Sequence, residues 1–347
     1  MKAAVLFFAL TYSDERMAIS ALNAVTIANN SIMKKPPRPT LMPIRRFLST
    51  EEEVFECLFQ FDAPRLSLDA DGDVINDAWG FRGVNDAALP LEPSIERNGV
   101  GLEWSVLEVK VSEEFKSRAH MHMSPNLIPT DELTWLALMQ HYGVPTRLLD
   151  FTLSPFVGLY FALRRADRNV SHVRLWAVNL KAVSDRFVSV MARARARERE
   201  LQKEKHSGRV SSGPDDARTD RDAFRNYALS IRKLTEDGIS ATGTLRGELN
   251  RRGCVCPAFP PSLNPRLASQ QGVFLLNCAQ KLLFADSLTT LMNGAVGWYK
   301  TFDIAAALLP KLERRLFQMN VHEQSLFPDM IGLAGFVRQK IKLEWTP

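Results

Sequence analysis

The sequence is poor in cysteine: Cys57, Cys254, Cys256 and Cys278 are all it has in 347 residues. Four cannot staple a scaffold of this size, so a reducing, cytoplasmic compartment is expected. The chain also lacks an apolar run of the roughly 20 residues that a bilayer-spanning helix needs, and no membrane association is expected. Its first apolar run, Ala3 to Leu10, is too short to span. Thr11-Tyr12-Ser13-Asp14-Glu15 behind it makes a poor leader cleavage site. A terminal structural segment, or a start codon set upstream of the true one, reads better. No Walker loop, Rossmann glycine fingerprint or Gly-x-Ser-x-Gly elbow occurs, which argues against ATP-driven, dehydrogenase and α/β-hydrolase chemistry.

Metal-ligand spacing is missing too. Cys254-Val255-Cys256 has no second cysteine pair at zinc spacing. Asp69-Ala70-Asp71-Gly72-Asp73 opens like a calcium loop but has Val74 where glycine belongs and Gly80 where the bidentate Glu belongs. It reads as an acidic turn. His120-Met121-His122 lacks a third spaced ligand and reads as surface. No metal site is expected.

What remains has globular proportions: 46% hydrophobic and 24% charged residues, with a net charge of +5. That charge permits anion or nucleic-acid binding without arguing for it. Residues 1–49 read as an N-terminal arm, rich in Pro and basic residues from about 30 to 48. One large domain is expected over 50–342, opening on a helix from Thr50 to Phe61. A charged helix and loop at about 192–222 interrupt it. That insertion reads as a solvated helix with a loop, or alternatively as an arm contacting nucleic acid. Its interleaved glutamates and lack of aromatics weaken the second reading.

Trp135, Leu138, Met139 and Tyr142 recur at helical spacing, with Asp131 and Glu132 at the start and Gly143 past the end. Trp135 and Trp176 read as core. Ser154-Pro155 opens a second helix with Phe156, Leu159, Tyr160 and Leu163 on one face. Val144 to Thr152 reads as the connection between the two. Strands are expected at Val173–Val178, Val273–Leu276 and Trp298–Phe302, and a last helix from Asp329 to Lys340. Helices and short strands mix without a βαβ period. The expected fold is α+β, a small mixed or antiparallel sheet with helices packed around it.

Several segments carry chemistry. Trp79-Gly80-Phe81-Arg82-Gly83 reads as a strand end turning into a loop, and Leu91 to Arg97 as a turn entering a helix at Pro93-Ser94. Gln140-His141-Tyr142-Gly143-Val144-Pro145-Thr146-Arg147-Leu148-Leu149-Asp150 follows. Later come Asn264 to Phe274, with Gln271-Gly272-Val273-Phe274, and Asn320 to Asp329, with His322-Glu323 and Leu326-Phe327-Pro328-Asp329.

In this order the segments resemble the FRG domain family, named for its Phe-Arg-Gly motif, over roughly Ala78 to Val337. Val84-Asn85 departs from the family, which often has Gln there, and the charged insertion is a second departure. The resemblance implies a protein of bacteria and their mobile elements, phages included, with loosely defined biochemistry.

Within an FRG-type domain the expected site is a cleft joining Phe81, Arg82 and Gly83 to His141–Asp150, with Gln271 lining it. Arg82 beside a glycine suits a phosphate clamp, because guanidinium binds phosphate oxygens bidentately; alternatively it is a structural ion-pair partner. Arg147 lies near the N-terminus of the second helix, another anion-friendly position. Alternatively Arg147 and Asp150 pair and lock the loop. His141 suits acid–base work, or caps its helix end.

The aromatic-Arg-Gly opening is also similar to the start of ADP-ribosyltransferase cores. That similarity implies that Arg82 holds the phosphates of NAD, as a substrate and not a resident cofactor. It gives Glu323 the oxocarbenium-stabilising role, although no Ser-Thr-Ser strand or Glu-x-Glu pair is present. ADP-ribose would pass to protein, nucleic acid or water, with a toxin or phage-defence role by association. The competing expectation is a non-catalytic module that binds nucleic acid or protein.

Overall fold

A computed structural model describes residues 45–61, 66–68, 74–76, 79–97, 103–166, 169–206, 227–259 and 265–345. In chain order the first elements are β1 (Arg45–Leu48), α1 (Glu51–Phe59), β2 (Leu66–Leu68), β3 (Val74–Asn76), β4 (Trp79–Val84), α2 (Ser94–Arg97), α3 (Trp104–Ala119), α4 (Glu132–His141), β5 (Leu148–Thr152) and α5 (Pro155–Leu163). Then come β6 (His172–Asn179), α6 (Leu180–His206), α7 (Tyr227–Ile239), α8 (Gly243–Arg252), β7 (Val255–Ala258), α9 (Pro265–Ser269), β8 (Gly272–Asn277), α10 (Phe284–Leu291), β9 (Tyr299–Ala305), α11 (Leu309–Gln318), α12 (Glu323–Leu326) and α13 (Met330–Trp345).

Seven strands form one mixed sheet in the order β1-β9-β6-β4-β5-β8-β7. Only its β1–β9 pair is parallel. β2 and β3 form a separate antiparallel pair. The fold is α+β, as the mixed pattern of elements implied.

β6 shows why helices cover both faces. Val173, Leu175 and Ala177 point into one apolar cluster, and Trp176 and Val178 into another. The first cluster takes Val54 and Leu58 from α1, Leu159 and Ala162 from α5, and Leu312 and Leu316 from α11. The second takes Leu133 and Leu136 from α4, Val183 and Phe187 from α6, and Leu288 from α10. Strands buried on both faces lose the polar alternation of a half-exposed sheet.

The helix starts follow their capping residues. Thr50 and Glu53 form a capping box on α1. Asp131 caps α4 by accepting from the Thr134 N–H at 2.8 Å, so it sits just before the first turn. Ser154 caps α5 with Pro155 behind it. Gly143 follows α4 with φ +82°, a conformation that glycine adopts without strain.

Several expectations need correction. α4 buries Leu133, Leu136 and Met139, while Tyr142 is 67% exposed and Trp135 only half-buried. The helix is therefore rotated from the expected Trp135–Tyr142 stripe. The connection expected over Val144–Thr152 contains β5, a strand inside the sheet. The Trp79–Gly83 segment is the interior of β4, not a strand turning into a loop. His120 and His122 follow the C-terminus of α3, both exposed.

Arg45–Leu48, at the end of the expected linker, pairs with β9 as an edge strand. The expected charged helix at 193–205 is the distal part of α6, whose first half packs Val183, Phe187 and Met191 into the core. The loop after it, the apolar run at 3–10, most of the Pro-rich linker and the acidic turn at 69–73 lie outside the described residues. Among the described residues no helix is long and apolar enough to cross a membrane.

Candidate functional site

The site grows out of β4. Phe81 is 2% exposed and packs edge-to-face on Phe61, ring centroids 4.9 Å apart. Gly83 faces α5 at very close range. A Cβ there would stand 2.1 Å from the carbonyl oxygen of Gly158 and 2.2 Å from the backbone nitrogen of Ala162. Strand alternation turns Arg82, between them, to the opposite face of the sheet.

There its Nη1 donates to the backbone carbonyl of Asp150 at 2.8 Å, and the Asp150 carboxylate lies 4.0 Å away. Its Nε is buried without a hydrogen-bond acceptor. Burial lowers the Arg82 pKa from its ordinary value, Asp150 raises it, and nearby Arg97 lowers it further. Arginine nonetheless stays charged.

A cavity of about 290 Å³ opens over these residues. The lining includes Phe81, Arg82, Gly83, His141, Asp150 and Arg266, with Phe151, Phe161 and Phe274 adding apolar surface. The end of α4 supplies one wall. Gln140 Nε2 donates to the Asp150 carboxylate at 2.6 Å, and its Oε1 accepts from the Thr146 hydroxyl at 2.5 Å. That relay fixes the carboxylate. His141 is the last residue of α4 and exposed. Partial burial depresses its pKa, Arg266 adds to the depression and Asp329 opposes it. Its imidazole is therefore neutral at pH 7, the state of a proton acceptor.

The opposite wall is α9 and the start of β8. Gln270 donates to the Leu326 carbonyl at 3.0 Å, and its own carbonyl accepts from the Thr152 hydroxyl at 2.6 Å. The Arg266 guanidinium stacks on Phe327, 4.7 Å from the ring centroid. Arg266 was not singled out from sequence. Its signal in sequence is its place in the Asn264–Phe274 segment, beside Gln271.

Phe81, Arg82, Gly83, His141 and Asp150 are thus brought together. Arg147, Gln271 and Glu323 are not. Arg147 is 5% exposed and donates from Nε to the Glu108 carboxylate, whose other oxygen accepts from the Arg147 backbone N–H at 2.8 Å. Its guanidinium also lies 5.0 Å from the Trp104 ring. The expected Arg147–Asp150 pair is therefore replaced by Arg147–Glu108, since a buried cation needs a buried counter-charge.

Gln271 is exposed, in the left-handed turn (φ +48°) between α9 and β8, while its neighbour Gln270 lines the cavity. Glu323 begins α12, binds Arg164 at 2.9 Å and lines a different pocket. The expected placement of Glu323 opposite Arg82 in one cleft is not formed. Arg164, just past α5, takes that carboxylate instead.

Among the described residues no group of three or more His, Cys, Asp or Glu is arranged to hold a metal ion. All four cysteines are buried free thiols.

Residues 77–170 match the family model of the FRG domain. The chain carries an FRG domain. The matched region begins just before β4 and stops short of β6, so Arg82, His141 and Asp150 belong to it, whereas Arg266 and Gln270 come from beyond it. No curated protein and no solved structure matches the chain significantly.

Proposed function

We propose that the FRG domain cavity binds a nucleotide through its phosphates, and that its substrate is NAD, cleaved in the manner of an ADP-ribosyltransferase. The observation that carries this reading is Arg82: a half-buried guanidinium whose covered Nε is unpaired, on the wall of an aromatic-lined cavity. Leaving a buried donor unpaired costs about 1–3 kcal/mol, and more for a charged group. A phosphate oxygen would recover that cost. Arg266 supplies a second cation on the facing wall, and the phenylalanines offer surface to a base or a nicotinamide ring.

A volume of about 290 Å³ lies at the small end of ligand sites, which run from about 300 to 1,000 Å³. It suits one half of a dinucleotide, with the other half lying over the open rim. The chemistry follows from the two remaining groups. Asp150 is the carboxylate in the lining and takes the role that sequence gave to Glu323. It faces the positive charge that develops at the ribose carbon as the C–N glycosidic bond breaks. The nitrogen keeps the bonding electron pair, so nicotinamide departs neutral. Water or an acceptor hydroxyl then bonds to the same carbon, and neutral His141 takes its proton.

The test is calorimetric titration of the intact protein with ADP-ribose. Arg82→Gln is expected to weaken binding at least tenfold while the circular dichroism spectrum is unchanged. Equal affinity in the folded variant would remove the phosphate-clamp role.

A further inference from the structure

A second pocket, of about 220 Å³, lies between the end of α5 and α13. Four of its lining charges cancel in pairs. Arg164 binds Glu323 at 2.9 Å, and Lys342 binds Glu313 at 2.7 Å. Two cations, Arg165 and Arg338, line the same pocket with no acidic partner among the described residues. Like charges around a concave wall repel, and an anion between them relieves the repulsion.

Two further features mark the pocket. Gln339 lines it, and the Gln339 Oε1 is buried without a donor. Arg165 holds a left-handed backbone, φ +57°, rare for a residue with a side chain. Its carbonyl is held by Asn85 Nδ2 at 3.1 Å, directly beyond β4. Backbone strain of this kind gathers at ligand clamps.

We propose that this pocket is a second ligand site, distinct from the Arg82 cavity, for a small phosphate-bearing molecule with a free hydroxyl, of the sugar-phosphate class. Guanidinium forks match phosphate oxygens bidentately, which assigns Arg165 and Arg338 to the phosphate. A carbonyl oxygen lacking a donor is satisfied by a hydroxyl, which assigns the Gln339 Oε1 to the sugar. The volume is smaller than that of the Arg82 cavity and excludes a whole dinucleotide. The two sites share a neighbour: Arg164 and Arg266 stack on the Phe327 ring, at 4.4 and 4.7 Å from its centroid.

The experiment titrates the full chain with ribose 5-phosphate and, separately, with inorganic phosphate. Ribose 5-phosphate should bind more tightly than phosphate. Arg165→Gln and Arg338→Gln, both exposed positions that fold without their charge, should each weaken it at least tenfold. In an Arg82→Gln background, which removes the phosphate clamp of the first cavity, the binding that depends on Arg165 and Arg338 should persist, and Gln339→Met should bring the sugar phosphate down to the affinity of phosphate alone. No binding, binding that survives both arginine changes, or binding lost only with Arg82→Gln would overturn the site. Equal affinity of the two probes for the unmodified protein would overturn the sugar contact.

Discussion

Two arginines set among apolar residues meet opposite fates. Arg147 is matched by Glu108, so its burial is structural. Arg82 is given a carbonyl, a distant carboxylate and an open cavity, so part of its hydrogen-bonding capacity is left over. Glu96, 7% exposed, is a buried carboxyl without a counter-charge among the described residues. Its Oε1 accepts from the Phe284 backbone N–H at 2.8 Å, and its Oε2 has no partner. Burial pushes its pKa up to about 8, against the Phe284 hydrogen bond; Glu92 and Asp286 push the same way as burial, and Asn277 opposes.

The folded protein thus holds the proton of Glu96 where the unfolded chain has released it. Its contribution to stability is full below about pH 4.5 and is lost as pH rises to about 8, at up to about 1.4 kcal/mol per pH unit. Urea denaturation should show the unmodified protein losing stability from pH 6 to pH 8 relative to Glu96→Gln. Parallel pH curves for the two proteins would contradict the buried, protonated carboxyl.

Among the elements, β4 joins fold and site. Gly83 gives α5 its contact with the sheet, and the same strand turns Arg82 to the cavity. Gly83→Ala would drive a Cβ into two backbone groups of α5, which cannot rotate away as a side chain can. It should cost about 3 kcal/mol or more and leave little soluble protein. Gly143→Ala, in open space at φ +82°, is the comparison and should cost about 1–2 kcal/mol. Thermal melts of the pair should differ accordingly; equal melting temperatures would sink the close-contact role of Gly83.

The helices of this region were legible because Thr50, Asp131 and Ser154 are local signals, readable without neighbours. β5 was not. Leu148-Leu149-Asp150-Phe151-Thr152 carries no alternation, because the sheet covers all of it except Asp150. β4 was misread at its glycines, which speak for turns in sequence but here admit Leu180 and α5. The partner of Arg147 was illegible for a simpler reason. Glu108 lies on another helix, and nothing in a one-dimensional pattern joins the two.

At the scale of the molecule, the cavity is assembled from two stretches of chain. The FRG match supplies Arg82, His141 and Asp150, and α9 with β8 supplies Arg266 and Gln270. Sequence brought the first group together by motif. The similarity to ADP-ribosyltransferase cores gave Glu323 the oxocarbenium-stabilising role, whereas the fold sets it with Arg164. In the proposed reading, the first stretch carries both the Arg82 clamp and the Asp150 and His141 chemistry, and Arg266 on the second stretch adds a cation opposite them. The deciding measurement is release of nicotinamide from NAD by the purified protein, with Arg82→Gln and Asp150→Asn alongside, each confirmed folded. Release that falls at least a hundredfold in both variants is the expected result. No release from the unmodified protein, even with cell lysate supplied as acceptor, or release that persists in both variants, would contradict an NAD-cleaving site at Arg82.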